Sequence, residues 1–215
     1  MKAAPRRALI IVISIVSVGY FALWACAPAT TVRPNVPLQA NSNMAVGAGA
    51  SANRILRAPT SSSSGFLDFC TTGTCPAGHI WTYWQLSESF GLSAIAFAGQ
   101  GTLLGAGLSL RYLLVDDGPL RISADLEGGF LWIGAALPIS YRLSDDVAVY
   151  TNPSVGFRMQ NAMRWPIGVA VDAGRFRLTL EAGVGATGRG SPLDVTTPSD
   201  LFLSAYGGVG AEVHF

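Results

Sequence analysis

The sequence predicts an all-β fold: an antiparallel up-and-down transmembrane β-barrel of eight strands, with ten as the alternative, behind an N-terminal signal segment. Three observations predict it. Apolar and polar residues alternate with period two in segment after segment from Thr102 to Phe215. The polar face of that alternation is built from Gly, Ala, Ser and nearly balanced charges rather than long solvated side chains. The chain of 215 residues is 50% hydrophobic but only 13% charged, and no lysine follows Lys2. A soluble surface is ordinarily covered by Lys and Glu.

From the N-terminus, residues 1–25 pass from Lys2, Arg6 and Arg7 through an apolar stretch, Ala8 to Ala25, to small residues. That is the pattern of an export signal. The stretch also approaches the length of a spanning helix, so an uncleaved anchor is the alternative. Leu23-Trp24-Ala25-Cys26 resembles the bacterial lipoprotein signal, which implies lipidation of Cys26; cleavage after Ala29 is the other route. Taking Lys2, Arg6 and Arg7 from the 14 basic residues leaves 11 Arg against 13 acids. There is no basic field for nucleic acid. Of the 3 cysteines, either processing route leaves Cys70 and Cys75, expected as a disulfide in an oxidising compartment.

Residues 26–42, with Pro28, Pro34 and Pro37, read as a tether. Residues 43–88 hold weak strands and the disulfide loop. Asn43 to Ala52 is rich in small residues, Ala58 to Gly65 (APTSSSSG) is an exposed loop, and His79 to Leu86 (HIWTYWQL) is strand-like but apolar on both faces. The barrel itself is assigned to residues 89–215. Ser89 to Ala98 alternates poorly, whereas the segments from Thr102 onward alternate well. In Thr102 to Val115, Leu104, Ala106, Leu108, Leu110 and Tyr112 oppose Gly105, Gly107, Ser109 and Arg111. In Leu120 to Glu127, Leu120, Ile122, Ala124 and Leu126 oppose Arg121, Ser123, Asp125 and Glu127. The split recurs in Leu131 to Leu143, Val147 to Arg158, Arg164 to Asp172, Phe176 to Ala186 and Leu201 to Phe215. Such strands, about 9 to 15 residues long, exceed those of soluble sheets and suit a tilted bilayer crossing. Asp116-Asp-Gly-Pro119, Ser144-Asp-Asp146 and Asp172-Ala-Gly174 are tight polar turns. Longer links are expected at Arg158 to Met163 and Thr187 to Asp200.

The polar face carries Arg111, Arg121, Arg142, Arg158, Arg164 and Arg177 against Asp125, Glu127, Asp172, Glu181 and Glu212. A buried unpaired charge is costly, so the near balance predicts a narrow lumen closed by ion pairs. On the apolar face, Tyr112, Tyr141, Phe176 and Phe215 fall near one set of strand ends, and Phe130, Phe157 and Trp165 near the other. Interfacial girdles cluster in that way.

With those features together, Thr102 to Phe215 resembles a small bacterial outer-membrane β-barrel protein. The motif that matches most strongly is the last strand, with Phe215 terminal and Val213, Ala211 and Val209 on its face. The resemblance implies that this strand, with Phe215 and Val213, is the signal read by the barrel assembly machinery, and that outer-membrane lipids surround the wall. Both ends of an exported barrel start on the periplasmic side, so an even strand number is expected. Counting from Ser89 gives eight; adding the two weak segments gives ten.

Little in the sequence carries chemistry. The 2 histidines, His79 and His214, lie far apart in sequence. Metal ligands at a usable spacing are lacking, and no cofactor is expected. Gly183-Val-Gly-Ala-Thr-Gly188 matches a dinucleotide-binding pattern, but no helix follows it. A structural or surface-interaction barrel is therefore expected, with a barrel enzyme acting on lipid A or surface peptides through His79, or a narrow channel, as alternatives. No extracellular ligand can be named from these residues.

Overall fold

A computed structural model of the chain describes residues 42–57, 74–99, 102–129, 132–157, 160–189 and 201–215. The export signal, Cys26, nearly all of the tether, Cys70, Phe130 and Arg158 lie outside the described residues, as does the side chain of Phe157. The strands are β1 (Met44–Arg57), β2 (Thr74–Gln85), β3 (Phe90–Gly99), β4 (Thr102–Asp117), β5 (Leu120–Gly129), β6 (Trp132–Ala136), β7 (Ile139–Arg142), β8 (Val147–Thr151), β9 (Ser154–Phe157), β10 (Gln160–Ala173), β11 (Phe176–Arg189) and β12 (Leu201–His214).

Every pairing is antiparallel. β12 pairs with both β11 and β1, closing the sheet on itself. β6 and β7 both lie along β5, and β8 and β9 both lie along β10, so each of these two pairs is a single stave broken once. The breaks fall at Leu137-Pro138 and Asn152-Pro153, where proline has no N–H to give to a ladder. The described residues thus form a closed barrel of ten staves: the expected eight is corrected and the alternative of ten holds. The two missing staves are β1 and β2. Their alternation was hidden because β2 turns the rings of His79, Trp81 and Tyr83 inward and β1 turns Gly47 and Gly49 toward them, so the inward face is only weakly polar.

The alternation of the later segments is the wall of the barrel. Ile133, Ala135, Leu137 and Tyr141 are exposed on its outside, and Gly134, Ala136 and Ser140 are buried inside. The link expected at Arg158 to Met163 is shorter than the sequence suggests, because β10 already begins at Gln160. Two hairpins turn on a glycine of positive φ in the first central position, Gly118 at 55° and Gly174 at 63°. This is the glycine-first arrangement of II′ turns, whose twist matches that of the flanking strands. Both lie at the end where the chain termini meet. There Asn43 N–H donates to the Phe215 carbonyl at 2.9 Å, and Phe215 N–H donates to Met44 at 2.9 Å. The Gly183–Gly188 motif is part of β11, which leaves no helix N-terminus to receive a phosphate.

Candidate functional site

The inward face of the barrel is the part of the molecule with chemistry, and it is filled. At the terminal end the hub is Glu212. Asp172 and Arg177 face each other across the β10–β11 hairpin, and Arg177 stands opposite Glu212 on β12. Arg177, 2% exposed, donates from Nε and Nη2 to the two Asp172 carboxylate oxygens at 2.6 and 2.9 Å, and from Nη1 to Glu212 Oε1 at 3.1 Å. His214 Nε2 lies 2.9 Å from the same Glu212 oxygen, and Trp81 Nε1 donates to the other at 3.0 Å. Charge-assisted bonds of this kind repay the desolvation of buried ions only when the partners are all present.

Farther in, Glu181, 3% exposed, accepts from the Tyr150 hydroxyl at 2.8 Å and from the Tyr206 hydroxyl at 3.1 Å. On the opposite wall Arg111 clamps Asp125 through Nε and Nη2 at 2.8 and 2.7 Å, with the guanidinium 5.4 Å from the centre of the Tyr83 ring. Arg164 donates to Ser154 Oγ at 3.1 Å and reaches Glu127 at 4.0 Å. Ser93 and Ser109 hydroxyls join β3 to β4 at 2.7 Å.

Six inward rings share one geometrical rule: each lies over a glycine of a neighbouring strand. Trp81 covers Gly47, His79 covers Gly49, Phe97 covers Gly105, Tyr150 covers Gly168 and Tyr206 covers Gly183, all in direct register; Tyr83 covers Gly91 on the diagonal. A Cβ at any of these glycines would lie 2.0–2.8 Å from an atom of the side chain above it, closer than contact allows. Glycine in a strand marks such close approach, and here it lets rings lie flat along the wall and fill the lumen.

Most of the charges expected in the lumen are inside it: Arg111, Arg164, Arg177, Asp125, Glu127, Glu181 and Glu212. Arg121 and Arg142 are corrected to the rim. Arg121 pairs with Asp116 across the β4–β5 hairpin at 2.6 Å in a solvent-accessible position, and Arg142 is exposed beside the 143–146 turn. Both keep the inward phase, but each sits beyond the last covered rung. Tyr112, Tyr141, Phe176 and Phe215 are exposed on the outer wall at the terminal end, where Phe90 packs on Tyr112 with ring centres 4.9 Å apart. Trp165 is exposed farther along the same wall. Val213 stands between Val46 and Phe176. Cys75 is buried near the start of β2.

Neither histidine is at a barrel lip. His79 is buried in the lumen, stacked on Trp81 at 5.5 Å, and His214 is buried against Glu212. Among the described residues no group of three or more His, Cys, Asp or Glu could hold a metal ion. Sequence reasoning missed the rings Trp81, Tyr83, Phe97, Tyr150 and Tyr206. The usable signal was their pairing with glycines of the same phase, which needs the strand register to be seen.

No family model and no curated protein matches the chain. Among solved structures it is similar to the NanC porin, at 8% identity over 78% of this chain and 100% of that one, with a TM-score of 0.48. It is also similar to Ail, the attachment invasion locus protein of Yersinia pestis, in complex with sucrose octasulfate (11% identity, 81% and 99% covered, TM-score 0.36). A third is the outer membrane protease OmpT from Escherichia coli (8% identity, 84% and 99% covered, TM-score 0.39). At these identities the activities in those names do not transfer to this chain.

Proposed function

We propose that the chain is an integral outer-membrane β-barrel with a structural or surface-interaction role, its lumen closed by side chains rather than open for diffusion. One observation carries this reading: the faces are inverted relative to a soluble barrel. Leu108, Leu110, Leu126, Ile133, Ile167 and Leu180 are all exposed outside, while Arg177, Glu181 and Glu212 are buried inside. Apolar surface on that scale belongs in contact with hydrocarbon, and a closed barrel leaves no unpaired edge there. Small barrels are filled by their own side chains, and the buried network around Glu212 lines the lumen from β10 to β2 at the terminal end.

In this reading the terminal end faces the periplasm and outer-membrane lipids cover the wall. Tyr112, Tyr141 and Phe176 anchor one interface, and the Phe215 strand is read by the assembly machinery. The test is an unboiled gel and fractionation: the folded chain should migrate as a heat-modifiable band from the outer membrane. Recovery in the soluble periplasm would sink the proposal. Lipidation of Cys26 is tested separately, since Cys26→Ala should abolish fatty-acid incorporation. A Cys70–Cys75 disulfide should appear as a linked peptide in non-reducing mass mapping. Nothing favours the enzyme reading over this one, and His79→Ala should leave lipid A mass and surface proteolysis unchanged.

A further inference from the structure

Three prolines lie side by side on three adjacent staves. Pro138 separates β6 from β7, Pro153 separates β8 from β9, and Pro166 lies within β10. Their positions coincide in register. The β6–β9 ladder stops at Ala136/Ser154 and β7–β8 resumes at Ile139/Thr151. On the other edge, β9–β10 stops at Ser154/Arg164 and β8–β10 resumes at Thr151/Ile167. Asn152 and Pro153 therefore stand outside the ladder on both edges of their stave. Two bonds patch the gap: Leu137 N–H donates to the Pro153 carbonyl at 2.9 Å, and the Thr151 hydroxyl donates to the Pro166 carbonyl at 2.5 Å. By contrast, the closing seam between β1 and β12 is paired almost without interruption from Ala45/His214 to Ile55/Ser204.

A second observation falls in the same place. Asn152 is on the inward phase and 6% exposed, and its side-chain Oδ1 has no hydrogen-bond partner among the described residues. A buried acceptor left open costs free energy and asks for a donor. The outside of the same gap is apolar, with Leu137, Trp165 and Ile167 exposed. Beneath it on the inside stand Tyr150 and Glu181, on the rung that joins Gly168 to both. The plug around Arg177 and Glu212 lies nearer the terminal end.

We propose that this proline belt is a lateral port: the wall opens at Asn152-Pro153 so that an apolar chain lying in the membrane against Leu137, Trp165 and Ile167 brings a hydroxyl or amine that it carries to Asn152 Oδ1, which accepts a hydrogen bond from it. The ligand class is an acyl-chain amphiphile. The proposal rests on the membrane reading above, because only a wall in contact with lipid gives such a chain a route. Opening costs less here because proline has already removed ladder bonds and only the two patching bonds must break, whereas elsewhere the wall must break a full ladder.

The experiment uses the full chain folded into phosphatidylcholine vesicles, with Asn152→Cys and, as a control on an intact stretch of wall, the inward Ser51→Cys. N-pyrenylmaleimide dissolved in the bilayer is the probe, and a sulfonated maleimide in the buffer is its aqueous counterpart. Labelling is read peptide by peptide, so native cysteines are not scored. The lipid-phase reagent should label the thiol at position 152 at least about tenfold faster than that at 51, as one or two missing ladder bonds allow. Adding Pro153→Val should slow that labelling. Equal rates at the two positions, labelling only from the buffer, or no effect of Pro153→Val would overturn the port. Should Asn152→Cys not fold, amide exchange of the unaltered chain decides: Leu137, Asn152 and Ile167 should exchange faster than Val184 and Ala205, and equal protection overturns the port. A chain that never yields a heat-modifiable barrel in vesicles overturns the membrane reading itself, a distinct result from a folded but sealed one.

Discussion

Trp81 on β2 donates its indole N–H to Glu212 on β12 at 3.0 Å, across 131 residues of sequence and across the whole width of β1. The residue of β1 that lies between them is Gly47, paired with Trp81 on one side and Glu212 on the other. The absence of a side chain at Gly47 is what lets the ring pass. Closure of the barrel brings β12 beside β1, so this bond exists only in the closed form.

Gly47→Val should therefore destabilise the barrel by about 1–3 kcal/mol, the usual cost of forcing extra volume into a packed site. Trp81→Phe removes a donor from the buried Glu212 carboxylate and leaves part of the indole's volume empty, and should also cost about 1–3 kcal/mol. Denaturant unfolding of the three proteins in the same detergent checks both losses; a Gly47→Val barrel as stable as the parent would contradict the close approach.

Arg177→Met removes the one guanidinium that both Asp172 and Glu212 share. Taking the cation away from buried Glu212 and part-exposed Asp172 should cost about 3–5 kcal/mol, far more than replacing a surface ion pair. Arg121→Met, which breaks the exposed pair with Asp116, should cost under about 1 kcal/mol. The contrast between the two variants tests the division between lumen and rim.

Tyr150→Phe and Tyr206→Phe each remove one donor from Glu181, and each should cost about 1–3 kcal/mol because a buried carboxylate loses a partner. Both act on one group, so the double variant should depart from the sum of the singles. Strict additivity would mean that the two hydroxyls do not share Glu181.

Phe215→Ala should reduce the amount of folded barrel recovered from cells while leaving the unfolding midpoint of the purified barrel nearly unchanged. The Phe215 ring is exposed on the outer wall and fills no cavity, whereas its backbone bonds to Asn43 and Met44 survive the substitution. Equal losses in yield and stability would assign the ring a packing role instead.

The intact protein should give no conductance in planar bilayers, since its inward rings and the charged cluster of Arg177, Glu212 and His214 are buried inside the barrel. Discrete channel openings in the unaltered chain would favour the narrow-channel alternative.

The sequence by itself determined the period-two wall, its apolar outside and the sign balance of its inside, because side-chain direction in a strand depends only on residue parity. Leu126 and Glu127, or Leu180 and Glu181, disclose their faces without any partner in view. The structure alone decided the number of staves and the content of the lumen. β1 and β2 were obscure because a polar face is what makes alternation visible, and theirs is replaced by glycines on one strand and the rings of Trp81 and Tyr83 on the next. That replacement is a property of register, a relation between Gly47 and Trp81 that neither residue carries alone. For the same reason Arg121 and Arg142 read as lumen residues yet lie at the rim: parity sets which way a side chain points, and only the closed barrel sets where its cover ends.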